Sequence, residues 1–201
     1  MAARTKPSAR ETALITGASG GIGASLAKQF AAGGFDLVLV ARSADKLEAL
    51  AESLRAEHAV HVLVVPADLS VKGAPKTLFD SLKKKKRAVD VLVNNAGVLE
   101  MGAFAAISPE RHQELVTLNV ATLTDMTSRF VGPMIERGRG RILNVASIAA
   151  FQPIPSLATY AATKAYVLSL TEALSEELKP KGISVTALCP GITETGMVAA
   201  A

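Results

Sequence analysis

The sequence predicts a three-layer α/β domain built on a doubly wound parallel sheet of six strands. Three observations carry that prediction. Six short apolar runs alternate with longer amphipathic segments from one end of the chain to the other. The runs are apolar nearly throughout rather than at every second position, the pattern of strands covered on both faces. No linker, low-complexity tract or short repeat interrupts the alternation, so residues 1–201 are expected to form one domain.

The strand runs are "ALITG" (13–17), "DLVLVA" (36–41), "VHVLVVPA" (60–67), "VDVLVNNAG" (89–97), "RILNVAS" (141–147) and "ISVTALCPG" (183–191). Between the first two, residues 22–32 have helical period and stop at Gly33-Gly34, a C-terminal signal. Segment 44–57 opens at Ser43 and repeats leucine at 47, 50 and 54 along one face. The run "KKKKR" (83–87) closes a helix, where cations complement the helix dipole. Ser108-Pro109-Glu110 supplies an N-cap and a first-turn proline for a long helix over 109–136. A last helix over 157–179 is stopped by Pro180 and Gly182.

Composition narrows the function classes. Hydrophobic residues make up 49% and charged residues 20%, which argues against disorder. With no tryptophan and 4% aromatics, the core must be aliphatic. Twenty-two basic against eighteen acidic side chains give +4, too mild to imply nucleic acid but suited to an anionic ligand. Cys189 is alone, which excludes an internal disulfide or a cysteine metal cluster and fits a reducing compartment. His58, His61 and His112 lack ligand spacing, so no metal is expected. The opening "MAARTKPSARET" has no apolar core of a signal peptide. No apolar stretch approaches the roughly 20 residues of a membrane span. A cytoplasmic location, without membrane or nucleic-acid partners, is the resulting expectation.

In such sheets ligands sit beyond the carboxyl ends of the strands, and there the polar residues collect. After the first strand comes "TGASGGIGASLA" (16–27). Gly17 would permit the turn, Gly21 would let backbone approach a pyrophosphate, and Gly23 would let the helix pack closely. The new helix aims its free N–H groups at the phosphates, so the sheet reads as a Rossmann-type dinucleotide fold. The second strand is followed by Arg42 and Ser43, with Lys46 one turn on, where a carboxylate would hold an unphosphorylated ribose. A guanidinium suits a 2′-phosphate, which favours NADP(H) over NAD(H). Asp68-Leu69 follows the third strand, Asp68 as an N-cap or a contact to an adenine amino group. "NNAG" (94–97) follows the fourth, and Asn94 and Asn95 are equally readable as strand-end bridges. Asn119 sits mid-helix, where asparagine has poor propensity and a buried one needs a purpose. Ser147 ends the fifth strand, and Tyr160 and Lys164 share a helical face.

"TGASGGIG", "NNAG", Asn119, Ser147, Tyr160-x-x-x-Lys164 and "PG" (190–191) stand in the order and rough spacing of the short-chain dehydrogenase/reductase family. The chain resembles that family from about residue 11 to its end. The resemblance implies an oxidoreductase that transfers a hydride between NADP(H) and a carbonyl or alcohol. It implies Tyr160 as general acid/base, Lys164 as its electrostatic partner and ribose ligand, and Ser147 as holder of the substrate oxygen. Asn119 would position a water linking Lys164 to solvent. The cofactor would lie along Gly17, Ser19, Gly20, Gly21, Ile22 and Gly23, then Arg42, Ser43, Asp68 and Leu69. Asn95, Ala96, Gly97, Pro190, Gly191, Ile192 and Thr193 would line its remainder. The chemistry is reasonable on its own terms, because hydride delivery to a ketone builds negative charge that a proton donor must meet. A nearby ammonium is expected to lower the tyrosine pKa from about 10.

The resemblance also implies a continuation past Met197 into a substrate-covering helical segment and a seventh strand, so the chain is expected to be part of a longer one. Val98, Leu99, Met101, Phe104, Phe151, Ile154 and Pro155 form an apolar wall that suggests a small or apolar substrate, with Phe151 a contact beside Ser147 and Tyr160. Helices 109–136 and 157–179 are where a homodimer or homotetramer would be expected by resemblance. Two other readings remain open at this point: an NADP(H)-binding scaffold or sensor without turnover, and a sugar-nucleotide epimerase or dehydratase. An intact Ser147–Tyr160–Lys164 set opposes the first, and the glycine spacing with no larger C-terminal substrate domain opposes the second.

Overall fold

The computed structural model describes residues 10–191. Its elements are β1 Thr12–Thr16, α1 Gly21–Ala32, β2 Asp36–Ala41, α2 Ala44–His58, β3 Val62–Pro66, α3 Ala74–Lys84 and β4 Val91–Asn94. Helices α4 Pro109–Val116 and α5 Leu123–Arg137 follow, joined by a π-helical turn over Thr117–Thr122. Then come β5 Gly140–Val145, α6 Ala158–Leu178 and β6 Ile183–Leu188. All strand pairs are parallel, in the order β3-β2-β1-β4-β5-β6. The order reverses between β1 and β4, so a crevice opens beyond their carboxyl ends.

Successive residues of one strand feed opposite cores, which explains the unbroken apolar runs. Ala13 and Ile15 of β1 join Leu37, Leu39, Val91 and Val93 beneath α1 and α2, where Ala27, Leu47, Ala51 and Leu54 are buried. Leu14 faces the other way with Val38, Val40, Leu92 and Ile142, under Leu82, Met126, Phe130, Met134 and Leu178. The leucine stripe predicted for α2 divides accordingly, with Leu47 and Leu54 fully buried and Leu50 at the margin.

The strands are shorter than the apolar runs. Asn95 does not extend the β4 ladder, because its N–H donates to Thr16 Oγ1 instead. The lysines of "KKKKR" end α3 as expected and are all exposed, Lys83 and Lys84 in its last turn and Lys85 at its C-cap, with Lys86 in the left-handed region at φ 52°. The long helix predicted over 109–136 departs most. Its middle widens into the π-helical turn centred near Asn119, a feature often found at functional sites.

Candidate active site

Thr16, the last residue of β1, organises the crevice. Its hydroxyl donates to Val93 O at 3.2 Å and accepts from the N–H groups of Asn95 at 2.9 Å and Ala96 at 3.0 Å. Asn95 returns the tie, its Nδ2 donating to Thr16 O at 2.8 Å and Gly17 O at 3.2 Å. Asn95 therefore pins the end of β4 to the glycine turn. Gly17 makes that turn with φ 65° and Gly21 enters α1 with φ 53°, conformations natural to glycine. A Cβ on Gly23 would overlap the Gly17 carbonyl and stand 2.5 Å from Asn95 Nδ2, whereas one on Gly20 would meet nothing within 4 Å. Helix α1 has no acidic residue in its first turn and no side-chain N-cap. Its leading N–H groups and positive dipole end are thus open to an outside anion. Ser19 and Ile22 flank this opening, both half-buried.

Arg42 follows the end of β2 and is exposed, with no ion pair among the described residues. Ser43 next to it caps α2 in an extended conformation, and its hydroxyl bonds no helix N–H. Asp68 accepts from Ser70 N at 2.9 Å and Ser70 Oγ at 2.6 Å. Those bonds hold its carboxyl below the ordinary range, with a smaller contribution from the Arg42 charge. Asp68 is exposed and Leu69 buried beneath it. The chemistry of this set fits a phosphorylated dinucleotide: an unpaired guanidinium, a free hydroxyl and an unblocked helix end.

Across the crevice, Asn119 is 2% exposed and its purpose is visible. Its Oδ1 accepts from Val98 N at 2.9 Å, and its Nδ2 donates to Val98 O at 2.9 Å and Thr163 Oγ1 at 3.1 Å. One side chain joins the loop after β4 to α6. A Cβ on Gly97 would lie 3.1 Å from Asn119 Oδ1 and 3.8 Å from Lys164 Nζ, so both groups crowd against the bare glycine.

Ser147 follows β5, and its hydroxyl accepts from Ala149 N at 3.1 Å. Tyr160 and Lys164 lie on the buried face of α6, 8% and 6% exposed. Lys164 Nζ donates to Val145 O at 2.8 Å and stands 5.7 Å from the centre of the Tyr160 ring. Burial lowers the Lys164 pKa from 10.5 to about 8, with Cys189 pulling weakly upward. Burial raises the Tyr160 pKa above 10, opposed by the neighbouring Ser147 hydroxyl. The lowering expected of the ammonium does not emerge, because desolvation dominates and Nζ is directed at the Val145 carbonyl.

Phe151 is exposed at the mouth with Ile148, Met101 and Leu188. Val98, Leu99 and Ile154 instead pack onto Tyr160 and Leu115. Pro190 and Gly191 reach the same rim, Ile148 N donating to Pro190 O at 3.0 Å. Ile192 and Thr193 lie outside the described residues. Asn94 turns away from the crevice. Its Nδ2 donates to Thr127 Oγ1 and Asn144 Oδ1, and Asn144 Nδ2 donates to Thr171 Oγ1, each at 2.9 Å. This network bolts α5, β4, β5 and α6 together beneath the site. Sequence reasoning missed Thr16, Asn144 and Thr163. A polar residue interrupting an apolar strand run was the signal for the first two.

Tyr160, Lys164, Ser147, Asn119 and the glycine turn thus converge on one rim. The sequence matches the short chain dehydrogenase family over residues 11–201. The chain belongs to the short-chain dehydrogenase family. A short-chain dehydrogenase from Sphingobium yanoikuyae, solved in complex with NADPH, is 40% identical with a TM-score of 0.90, across 94% of this chain and 74% of that one. The bulky-bulky ketone specific alcohol dehydrogenase of Comamonas testosteroni is 38% identical with a TM-score of 0.87, across 92% and 74%. Hydroxysteroid dehydrogenase-like protein 1 of Gallus gallus is 34% identical over 190 residues, 92% of this chain but 56% of that relative's length. Among the described residues of this family member, no group of three His, Cys, Asp or Glu side chains could hold a metal, and no helix is long and apolar enough to cross a membrane.

Proposed function

We propose that this short-chain dehydrogenase is an NADP(H)-dependent oxidoreductase that interconverts a carbonyl and an alcohol, with Tyr160 as general acid/base. The observation that carries the reading is the buried Tyr160–Lys164 pair beside Ser147, opposite an unblocked glycine turn. The glycine turn and α1 would hold the pyrophosphate, Arg42 and Ser43 the 2′-phosphate, and Asp68 and Leu69 the adenine. Asn95, Ala96, Gly97, Pro190 and Gly191 would line the nicotinamide end. The NADPH held by the Sphingobium relative supports this assignment. When bound, the cofactor supplies the hydride.

The chain's own residues manage the charge. Burial keeps the Tyr160 phenol protonated at neutral pH, ready to donate to an oxygen gaining charge. The Ser147 hydroxyl, hydrogen-bonded to the Tyr160 phenol here, would turn to donate a second hydrogen bond to that oxygen. Lys164, with a pKa of about 8, is mostly cationic at neutral pH and stabilises the phenolate left behind. Asn119 would position a water linking Lys164 to solvent, through which the proton is re-supplied.

The exposed Ile148, Phe151, Met101 and Leu188 support an apolar carbonyl substrate, as does the ketone named for the Comamonas relative. Exposed Val116 and Tyr166 support the expected homodimer or homotetramer. The test is a panel of ketones, aldehydes and alcohols with NADPH or NADH, followed by nicotinamide absorbance. Turnover of an apolar carbonyl with NADPH preferred is expected. Tight NADPH binding with no turnover across the panel would favour a scaffold.

A further inference from the structure

His112 is tied on three sides. Its ring stacks on Phe104 with centres 4.3 Å apart and planes 26° from parallel. Its Nε2 lies 3.1 Å from Phe104 O, and its Nδ1 lies 2.8 Å from Thr159 Oγ1. A carbonyl oxygen can only accept, so Nε2 carries the hydrogen of the neutral ring. Nδ1 then offers a lone pair, and the Thr159 hydroxyl donates to it. One imidazole therefore uses both nitrogens and one face at once.

The two partners are not neutral scenery. Thr159 lies in the first turn of α6 and directly precedes Tyr160. That helix has no side-chain N-cap of its own. Phe104 opens a short 3-10 turn, Phe104–Ala106, in the loop whose earlier residues Val98 and Leu99 pack on Tyr160. The same loop is held by Arg111, which donates to Leu99 O at 3.2 Å and to Glu100 at 2.7 Å. Gly102 N adds a bond to Ser156 O at 2.9 Å, just before α6. Arg111 also holds Glu114 on α4 but does not reach α6, Gly102 reaches only the approach to that helix, and Asn119 joins the loop to α6 at Thr163, past Tyr160. His112 spans the loop, α4 and the helix turn that presents Tyr160.

We infer that His112 is a positioning residue for the proposed reaction: it clamps the loop after β4 to the first turn of α6, fixing the substrate wall against the Tyr160 phenol. It acts through Thr159 and Phe104 and has no contact with the cofactor-binding turn. The inference rests on the oxidoreductase reading for its kinetic consequence but not for the clamp itself. A small displacement of a proton donor is costly to turnover, about 100-fold for a misplacement of about 1 Å.

The test separates the two. Amide hydrogen exchange is followed in segments 98–107 and 157–162 of the full chain for parent, His112→Phe, His112→Gln and His112→Asn. His112→Phe keeps the stack and loses both polar bonds, so faster exchange in both segments is expected. Gln places an amide donor near the Nε2 position and should restore only 98–107. Asn places an acceptor near the Nδ1 position and should restore only 157–162. Unchanged exchange in His112→Phe overturns the clamp. In parallel, kcat/KM with the best carbonyl of the panel should fall about 10-fold or more in His112→Phe while NADPH binding stays at the parent value. Parent kcat/KM despite faster exchange overturns the positioning role. If the parent itself reduces nothing, the oxidoreductase reading fails, and exchange alone still decides the clamp. Should His112→Phe not fold, Thr159→Val breaks the helix-side contact from the other partner, with the same expected changes in segment 157–162 and in kcat/KM.

Discussion

Replacing Lys164 with methionine removes an ammonium that the fold buries almost completely, while keeping an unbranched chain of similar reach. The folded pKa of about 8 lies below the ordinary 10.5. At about 1.4 kcal/mol per pH unit, holding this group charged costs the folded state about 3 kcal/mol at neutral pH. Between pH 8 and 10.5 the unfolded chain binds more protons than the folded one, so stability rises with pH across that window. Tyr160 works the other way above pH 10, because its raised pKa makes the folded state retain a proton that the unfolded chain releases. The usable window therefore runs from about pH 8 to about pH 10. The assay is urea unfolding of parent and Lys164→Met across that range, in a Cys189→Ala background to remove the neighbouring thiol. The parent should gain about 2 kcal/mol relative to the variant over the window. At neutral pH the two should be closer than 3 kcal/mol apart, since the variant leaves the Val145 carbonyl without its donor, at about 1–3 kcal/mol. Parallel pH dependences would refute the claim that a buried, strained ammonium sits beside the phenol.

Three further outcomes follow from the geometry. Arg42→Ala should weaken NADPH binding by about 1.5–3 kcal/mol and leave NADH nearly unchanged, read by titration of both cofactors; equal losses for the two would remove the 2′-phosphate role. Thr16→Val is nearly isosteric but strips the acceptor from two backbone N–H groups, so denaturant unfolding should show a loss of about 2 kcal/mol or more. Asn119→Ala frees Val98 N and O from their shared partner, and proteolysis within 98–107 should accelerate while the far edge strand β3 stays protected.

The six parallel strands and the candidate site's motifs were legible because they are written locally, whereas the strand order emerges only from the assembled sheet. A glycine pattern between the first strand and helix, and a tyrosine and lysine four positions apart, carry their meaning within one turn. Asn119 was legible as an oddity, since mid-helix asparagine conflicts with propensity. Its actual task, copying a backbone partner for Val98, depends on a segment 21 residues away. The pin between Thr16 and Asn95 spans 79 positions, and the His112–Thr159 contact spans 47. No period or motif encodes such pairings; they arise only when the sheet brings the strand ends together. The π-helical turn was hidden for a related reason, since the residue at its centre bonds the loop after β4 rather than its own helix. The direction of the Tyr160 pKa was misjudged from sequence, where spacing reveals the ammonium but not the depth of burial.

The central claim is that Tyr160 supplies the proton that lets a carbonyl accept hydride. The direct measurement compares parent and Tyr160→Phe for NADPH-dependent reduction of the best carbonyl of the panel, alongside NADPH binding. Phenylalanine preserves the ring packed against Leu115 and Ala161 and deletes only the hydroxyl. Turnover should fall by about 100-fold or more, the range typical of a lost general acid, with NADPH affinity within about twofold of the parent. Reduction by Tyr160→Phe at the parent rate would contradict the account.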